Sequence, residues 1–354
     1  MLPRLHPSPP NSPPNSPQPS PDQRTAARRA VLGGIAASML AAPLAQLARA
    51  ADDFIRGPAV ADQPLHLLSP RVAMVFAEDG FPTPENRGMM ANVVFVMTSA
   101  GVVVLDSGAS VQIGEMALRR LRTLTGRPVV AVLNSHAHGD HFLGNDAFVQ
   151  AFGSGLPILA HPEARRQIEG VAGSGWRSAM ERWTNGASLG TRVVPPNRDA
   201  LPGEVLRFGD TTLRLHHHGR AHTDADLCVE IVEDRVVYVG DVAMNGRIAN
   251  MDDGSYVGTL RTLDSLQRTL PGSLWVPGHG RASPTLLAEQ RELFAGIYEP
   301  CVAAVKAGED EAQARRRVLG DPRVTAHASR TRGWTSNIGK YISLAYLEAE
   351  KEAF

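Results

Sequence analysis

Apolar residues recur along this chain at two spacings, one of about two residues and one of three to four, and these divide it into strands and helices. The runs Val72–Phe76, Val93–Thr98 and Val102–Leu105 read as strands, the last two forming a hairpin through Ser99-Ala100-Gly101. Glu115–Leu124 carries apolar residues at helical spacing, and Val129–Leu133 returns as a strand. A short apolar strand, Ile158–Ala160, precedes Pro162, through which a helix over Glu163–Glu169 is entered. The second half repeats the plan, with strands at Glu204–Phe208, Thr211–His216, Leu227–Val232 and Val236–Val239. A helix at Thr259–Leu270 and a last strand at Leu274–Val276 follow. Beyond Pro284, the segments Leu286–Lys306, Asp310–Val318 and Ile338–Glu352 are helical in pattern and are expected to wrap the same domain as a C-terminal extension over 284–354. The pattern alone specifies a mixed α and β protein.

The strand ends carry the chemistry. After Val129–Leu133 comes His136-Ala137-His138-Gly139-Asp140-His141, four metal-binding side chains within six residues. Buried imidazoles without partners are costly, and neutral imidazole and carboxylate are common zinc ligands; a solvated polar loop is the competing reading. Four groups do not complete two metal sites, so others must come from downstream. His222 lies between Thr211–Leu215 and Leu227–Val232, Asp241 ends Arg235–Gly240, and His279 follows Leu274–Val276. Upstream, Val102–Leu105 ends in Asp106. In layered α/β folds the strand ends carry the site while the strands build the core.

In order and type, these pieces resemble the metallo-β-lactamase superfamily in its binuclear H-x-H-x-D-H form, over roughly residues 68 to 290. The stretch from His222-Thr223-Asp224-Ala225-Asp226 through Gly240-Asp241 to Asn245-Gly246-Arg247 is similar to periplasmic zinc metallohydrolases linked to quinoprotein systems. The resemblance implies an α/β fold of four layers, an αββα sandwich with metals at one edge between the sheets. It implies two zinc ions, with iron or manganese as alternatives. His136, His138 and His222 would hold one, Asp140, His141 and His279 the other, and Asp241 would bridge them. Asp106 would then orient a ligand histidine from outside the metal sphere. The best-known zinc β-lactamases use a cysteine ligand, but Cys228 and Cys301 fall in no matching motif. The all-His/Asp set is closer to glyoxalase II, lactonases and the quinoprotein-linked hydrolases.

Two divalent ions ~3.5–4 Å apart can share a water and lower its pKa from ~16 towards ~7. The expected reaction is attack of that bridging hydroxide on a small ester, lactone, thioester or amide, β-lactams included, with Asp140 orienting it as the catalytic carboxylate. Tyr256, Asn245, Asn250 and Arg247, just beyond Asp241, are substrate-side candidates. The insert Val171–Leu189, with Trp176, Met180 and Trp183, reads either as an apolar wall over the pocket or as an amphipathic helix packed on its own domain. Two other functions stay open: a mononuclear iron sulfur dioxygenase of the same superfamily, whose iron, as the resemblance implies, would be held by His136, His222 and Asp241, and a non-catalytic accessory protein of a periplasmic redox pathway. His216-His217-His218 continue a strand alternation and point to opposite faces, so they do not chelate together. His161 reads as a capping or rim residue, and His327 has no ligand-like neighbours.

Residues 1–50 form a proline-rich lead followed by Arg28-Arg29, an alanine-rich apolar stretch and Ala48-Arg49-Ala50. This resembles a twin-arginine export signal with a small-x-small cleavage site, implying a periplasmic protein with no permanent membrane span. The remaining residues 51–354 are expected to form a single domain of the resembled fold. Net charge is zero at pH 7, so nothing favours a nucleic-acid surface, and the expected partner is a small molecule. Two cysteines, Cys228 in an apolar strand and Cys301 on a helix, give no basis for a disulfide. Oligomeric state is not legible in the chain.

Overall fold

The structure, a computed structural model, describes residues 55–353 except Asp79 and Ala249; the export signal expected over residues 1–50 lies outside them. Residues from Ile55 onward form one compact unit. A seven-stranded sheet runs in chain order: β1 (Leu65–Leu67), β2 (Val72–Val75), β3 (Val93–Thr98), β4 (Gly101–Leu105), β5 (Val129–Leu133), β6 (Ile158–Ala160) and β7 (Arg198–Asp199). Its first four strands pair antiparallel and its last four parallel. A five-stranded sheet has the order β12-β11-β10-β9-β8, from β8 (Val205–Phe208), β9 (Thr211–His216), β10 (Cys228–Ile231), β11 (Val236–Gly240) and β12 (Leu274–Pro277). Only β11 and β12 pair parallel there.

Period-two alternation assigns the faces. Val94, Val96, Val103, Leu105, Ala131 and Leu133 from the first sheet meet Leu213, Leu215, Val229, Ile231, Val236 and Tyr238 from the second, in one core between the sheets. The alternate residues Val93, Phe95, Val102, Val104 and Val132 face α1 (Val111–Arg122), α2 (Gly139–Phe142), α3 (Asn145–Phe152) and α4 (Pro162–Glu169) through Ile113, Met116, Phe142, Phe148 and Ile168. Val237, Val239 and Trp275 face Leu263 and Leu266 of α6 (Tyr256–Thr269) and Leu286 and Leu287 of α7 (Leu286–Lys306). These three contact surfaces make the αββα sandwich. They also explain why β3 up to Met97 and all of β4 are apolar: strands covered on both faces have no solvent side.

Helix α5 (Val171–Trp183) lies between α4 and the second half. The C-terminal helices α8 (Glu311–Gly320), α9 (Pro322–Ala328) and α10 (Trp334–Ala353) pack on α7 around Leu293, Phe294, Ile297, Val318, Val324, Ile342 and Ala345. The start of α6 is tied to α10. Glu348 accepts from Ser255 Oγ at 2.6 Å, Tyr256 N at 2.7 Å and Val257 N at 3.3 Å, placing a carboxylate on a helix N-terminus where orphan N–H groups favour it. Cys228 and Cys301 are both free and buried, in separate clusters. Among the described residues no helix is long and apolar enough to cross a membrane.

Candidate metal centre

Five strand ends deliver the polar groups to one edge between the sheets. β4 leads into Asp106, β5 into the 136–141 loop, the β9–β10 connection carries His222, β11 ends before Asp241, and β12 runs into Gly278-His279. Gly278 is required by crowding: a Cβ there would stand 2.2 Å from Asp241 Oδ1 and 2.8 Å from His141 Cε1. Buried asparagines hold the loops in place. Asn92 donates to the carbonyls of Pro277 and Gly280, and its own N–H bonds Gly278 O; Asn134 donates to His141 O.

The structure brings together all seven residues singled out as ligands. His136, His138, His222 and Asp241 form one buried group able to hold an ion, and Asp140, His141 and His279 a second, the ligand atoms within each lying inside 4.8 Å of one another. Asp241 Oδ2 sits 3.9 Å from His136 Nε2 and 3.5 Å from His222 Nε2 in the first group. It sits 3.4 Å from His141 Nε2 and 3.3 Å from His279 Nε2 in the second. Asp140 Oδ2 lies 3.4 Å from His141 Nε2 and 3.1 Å from His279 Nε2.

The outer ring nitrogens say which atoms face inward. His141 Nδ1 donates to Asp106 Oδ2 at 2.7 Å and His279 Nδ1 to Met90 O at 2.7 Å. His138 Nε2 lies 3.3 Å from Asp253 Oδ2, and His136 Nδ1 lies 2.9 Å from Ser135 Oγ. In a neutral imidazole, a proton on the outer nitrogen leaves a lone pair on the inner one. Accordingly His136 Nε2, His141 Nε2 and Asp241 Oδ1 are buried without a hydrogen-bond partner, and His138 Nδ1 and His222 Nε2 stand 3.0 Å apart. Inward lone pairs at such separations repel, and a cation between them removes both the repulsion and the desolvation cost. The residues therefore fit a divalent metal.

Asp106 does what the sequence suggested and more. Fully buried, its Oδ2 accepts from His141 Nδ1, from Ser135 Oγ at 2.7 Å and from Tyr238 OH at 2.6 Å, while Oδ1 accepts Ser135 N at 2.7 Å. It adopts φ of +54°, a left-handed conformation that Asp tolerates better than most residues. Ser135 and Tyr238 were not anticipated; β-strand alternation places Tyr238 in the inter-sheet core, but only the fold shows where its hydroxyl ends.

Electrostatics differ across the site. Burial pushes His136 well below the ordinary histidine range, helped by the adjacent His141 and His138, and holds His222 at about 3. Burial also works against charge on His141, yet Asp241, Asp140 and Asp106 outweigh it and raise it well above normal. His279 is lifted to about 9 against burial by Asp241 and Asp140. Burial would raise Asp140 and Asp241, but their imidazole neighbours hold both well below the usual carboxylate range. Asp226 is raised to about 7 by burial, opposed by bonds from Thr223 N and Oγ.

Above the ligands opens a cavity of about 310 Å³, with His138, Asp140, His222, Asp241 and His279 on its floor. Of the substrate-side candidates, Arg247 and Asn250 line it. Tyr256 does not, and that expectation is corrected. As the first residue of α6 it packs against Phe294 and Tyr298, and its hydroxyl donates to Tyr341 O at 3.0 Å. Asn245 is not among the lining residues either; its backbone N–H bonds His279 O and fixes that loop. Trp176, Met180 and Trp183 of α5 line the cavity, so the insert is both helix and wall. Sequence reasoning missed Phe81, Met90, Asn337, Lys340 and Tyr341, which also line it. The remaining histidines stay outside: His216 pairs with Glu230, His217 bonds Asp226 O and stacks on His161, and His218 lies by Ser265. His161 caps α4 by accepting from Glu163 N.

Comparison with known proteins agrees with this geometry. A family model described as the metallo-beta-lactamase superfamily matches residues 86–279, which hold all seven clustered ligands. A hydroxyacylglutathione hydrolase of Polaromonas sp. (strain JS666 / ATCC BAA-500) is 27% identical over 185 residues, covering 51% of this chain and 58% of that protein. The chain thus spans little more than half the length of this relative. A solved metallo-beta-lactamase from Pontibacter korlensis superposes with a TM-score of 0.53 at 18% identity, over 65% of this chain and 98% of that one; at that identity the likeness is one of fold.

Proposed function

Because the chain belongs to the metallo-β-lactamase superfamily, we propose that it is a binuclear zinc-dependent hydrolase of a small carbonyl substrate: an ester, lactone, thioester or amide, β-lactams included. One observation carries this reading. A single carboxylate oxygen, Asp241 Oδ2, lies 3.3–3.9 Å from inward nitrogens of both ligand groups, which suits two ions sharing a bridge better than one ion alone. The name of the Polaromonas relative makes a thioester the first substrate to try.

A bound metal pair supplies Lewis acidity and an ionised water at neutral pH. The protein supplies orientation and proton handling. His136, His138 and His222 offer one set of lone pairs, His141 and His279 the other. Asp106 keeps His141 in the tautomer with its proton on Nδ1, so that Nε2 stays available. Asp140 Oδ2, in the cavity lining beside His141 and His279, would hold the nucleophile's proton and pass it to the leaving atom. Arg247 and Lys340 line the cavity as cations and orient polar substrate groups. Export to the periplasm belongs to the same proposal and rests on Arg28-Arg29 and the apolar stretch after it; cell fractionation with Arg28 and Arg29 replaced by lysine tests it.

Metal analysis of protein purified from its native host, with a thioester, a lactone panel and a chromogenic β-lactam as substrates, tests the catalytic claim. Two zinc ions per chain, hydrolysis, and loss of activity on chelation are expected. Asp140→Ala should lower the metal content towards one and reduce turnover by about 10²-fold or more. One iron per chain with thiol-dependent oxygen uptake, or full activity and two ions in Asp140→Ala, would overturn it.

A further inference from the structure

The cavity lining combines two chemically distinct sets of residues. One set is charged, Arg247 and Lys340 with the Asp252 that Lys340 bonds at 2.6 Å, and another is apolar, Phe81, Trp176, Met180 and Trp183. The three rings form a connected series leading out from a ligand. Trp176 lies 5.0 Å from the His138 ring, Trp183 6.2 Å from Trp176, and Phe81 6.3 Å from Trp183, the last two contacts edge-to-face. Met180, 1% exposed, anchors the helix, whereas Trp183 and Phe81 remain 40% and 67% exposed at the mouth. The outer rings are therefore not consumed by packing α5 on its own domain.

The sequence makes room for this arrangement. A Cβ on Gly139, inside the ligand loop, would stand 2.8 Å from Trp176 Cβ. Glycine there lets the helix bring its indole against the loop that carries His138, Asp140 and His141. Exposed large apolar side chains gathered at a cavity mouth mark a binding surface more often than chance decoration, and aromatic rings gain further from edge-to-face partners. A substrate's apolar part would lose its advantage against the charged lining, where it would desolvate Arg247 and the Lys340–Asp252 pair.

We propose that Phe81, Trp176, Met180 and Trp183 form a specificity site for a bulky apolar group, an aromatic ring above all, carried within a bond or two of the scissile carbonyl. As a statement about substrate class it rests on the hydrolase reading; as a statement about binding it does not need turnover. The cavity volume of about 310 Å³ is at the small end of ligand pockets, which run from ~300 to ~1,000 Å³, and suits one such ring beside the metal rather than an extended chain.

The test uses the zinc-loaded full chain titrated with acetate, cyclohexylacetate, phenylacetate and naphthylacetate, followed by calorimetry and tryptophan fluorescence. These carboxylates resemble products whose oxygens reach the metal while the remainder samples the walls. Phenylacetate and naphthylacetate should bind at least about tenfold more tightly than acetate and quench the indole signal. The double variant Phe81→Ala/Trp183→Ala, altering exposed positions, should bring that ratio below about threefold, with zinc content and acetate affinity retained. Trp176→Phe should keep most of the ratio, since it keeps a ring. A flat series in the unaltered protein, or an undiminished ratio in the double variant, would overturn the proposal. If the ratio holds but no carbonyl compound is hydrolysed, the catalytic reading fails and the aromatic site stands; hydrolysis with a flat series is the reverse.

Discussion

Among the described residues, the inward nitrogens of His136 and His222 meet one carboxylate, that of Asp241, whereas those of His141 and His279 each meet two, Asp140 and Asp241. In the first cluster burial wins at His136 and His222 and drives those two imidazoles towards the neutral form that donates a lone pair. In the second, the carboxylates outweigh burial and keep the imidazoles protonated in the metal-free protein. Ligands must be deprotonated before they bind. His141 and His279 must therefore shed protons as the second cluster fills, while burial already favours the binding form of His136 and His222 in the first. Two half-sites built of the same residue types can thus differ in how strongly pH governs their loading.

The largest effect is expected where the clusters join. Asp241→Ala removes the oxygen both share and should lower binding of both ions, cutting turnover on the order of 10³-fold, the scale of several kcal/mol of lost charge stabilisation. Metal analysis showing one ion fully retained would mean the bridge is not common property. Next comes Asp106→Asn, chosen because Asn tolerates the left-handed backbone at that position. It places an amide N–H against three donors, those of His141, Ser135 and Tyr238. Affinity of the second cluster should fall about 10–100-fold with the first less affected, as read by competition with a chelating dye.

The pH arms follow from the same contrast. In chelator-treated protein His279, with a folded value of about 9 against an ordinary 6.5, contributes stability that is whole below pH 6.5 and lost as pH rises through 9. His222, at about 3, contributes stability that is whole above pH 6.5 and lost as pH falls towards 3, offset in part by Asp226, which favours its protonated form up to about pH 7. Denaturant titrations should therefore show falling stability from pH 6.5 to 9, and zinc should flatten that limb. An unchanged limb after zinc addition would argue that the second cluster takes no ion. The smallest effect belongs to Asp253→Asn. Its carboxylate faces the outer nitrogen of His138 but is 66% exposed, so solvent replaces it readily, and first-cluster affinity should drop less than about tenfold.

The strands and the ligands were legible for the same reason. Val93–Thr98, Val129–Leu133 and Thr211–His216 occupy the bounds their apolar spacing predicts, and a polar residue at the end of such a strand has few structural uses. Helix α1 begins at Val111 rather than Glu115 because Ser110 caps it by accepting from Ile113 N; the β-branched Val111 and Ile113 masked its first turn. The two-residue β7 and the four-residue α2 are too short to leave a period. Tyr256 misled by proximity: it follows Asp241 closely in sequence, yet the bond from its backbone N–H to Glu348 turns it into the C-terminal core. Phe81, Asn337, Lys340 and Tyr341 reach the cavity from opposite ends of the chain. No local pattern marks such residues, because only tertiary packing makes them neighbours.

Glu348, near the end of the last helix, grips the first turn of α6. Asp253, whose carboxylate steadies His138, lies just two residues before Ser255 in that grip. A fusion partner, protease nick or binding event that peels the last helix away therefore pulls on the rim of the catalytic chamber. The last helix thus braces that rim, its carboxylate reaching within two residues of the group that faces a histidine more than two hundred positions earlier.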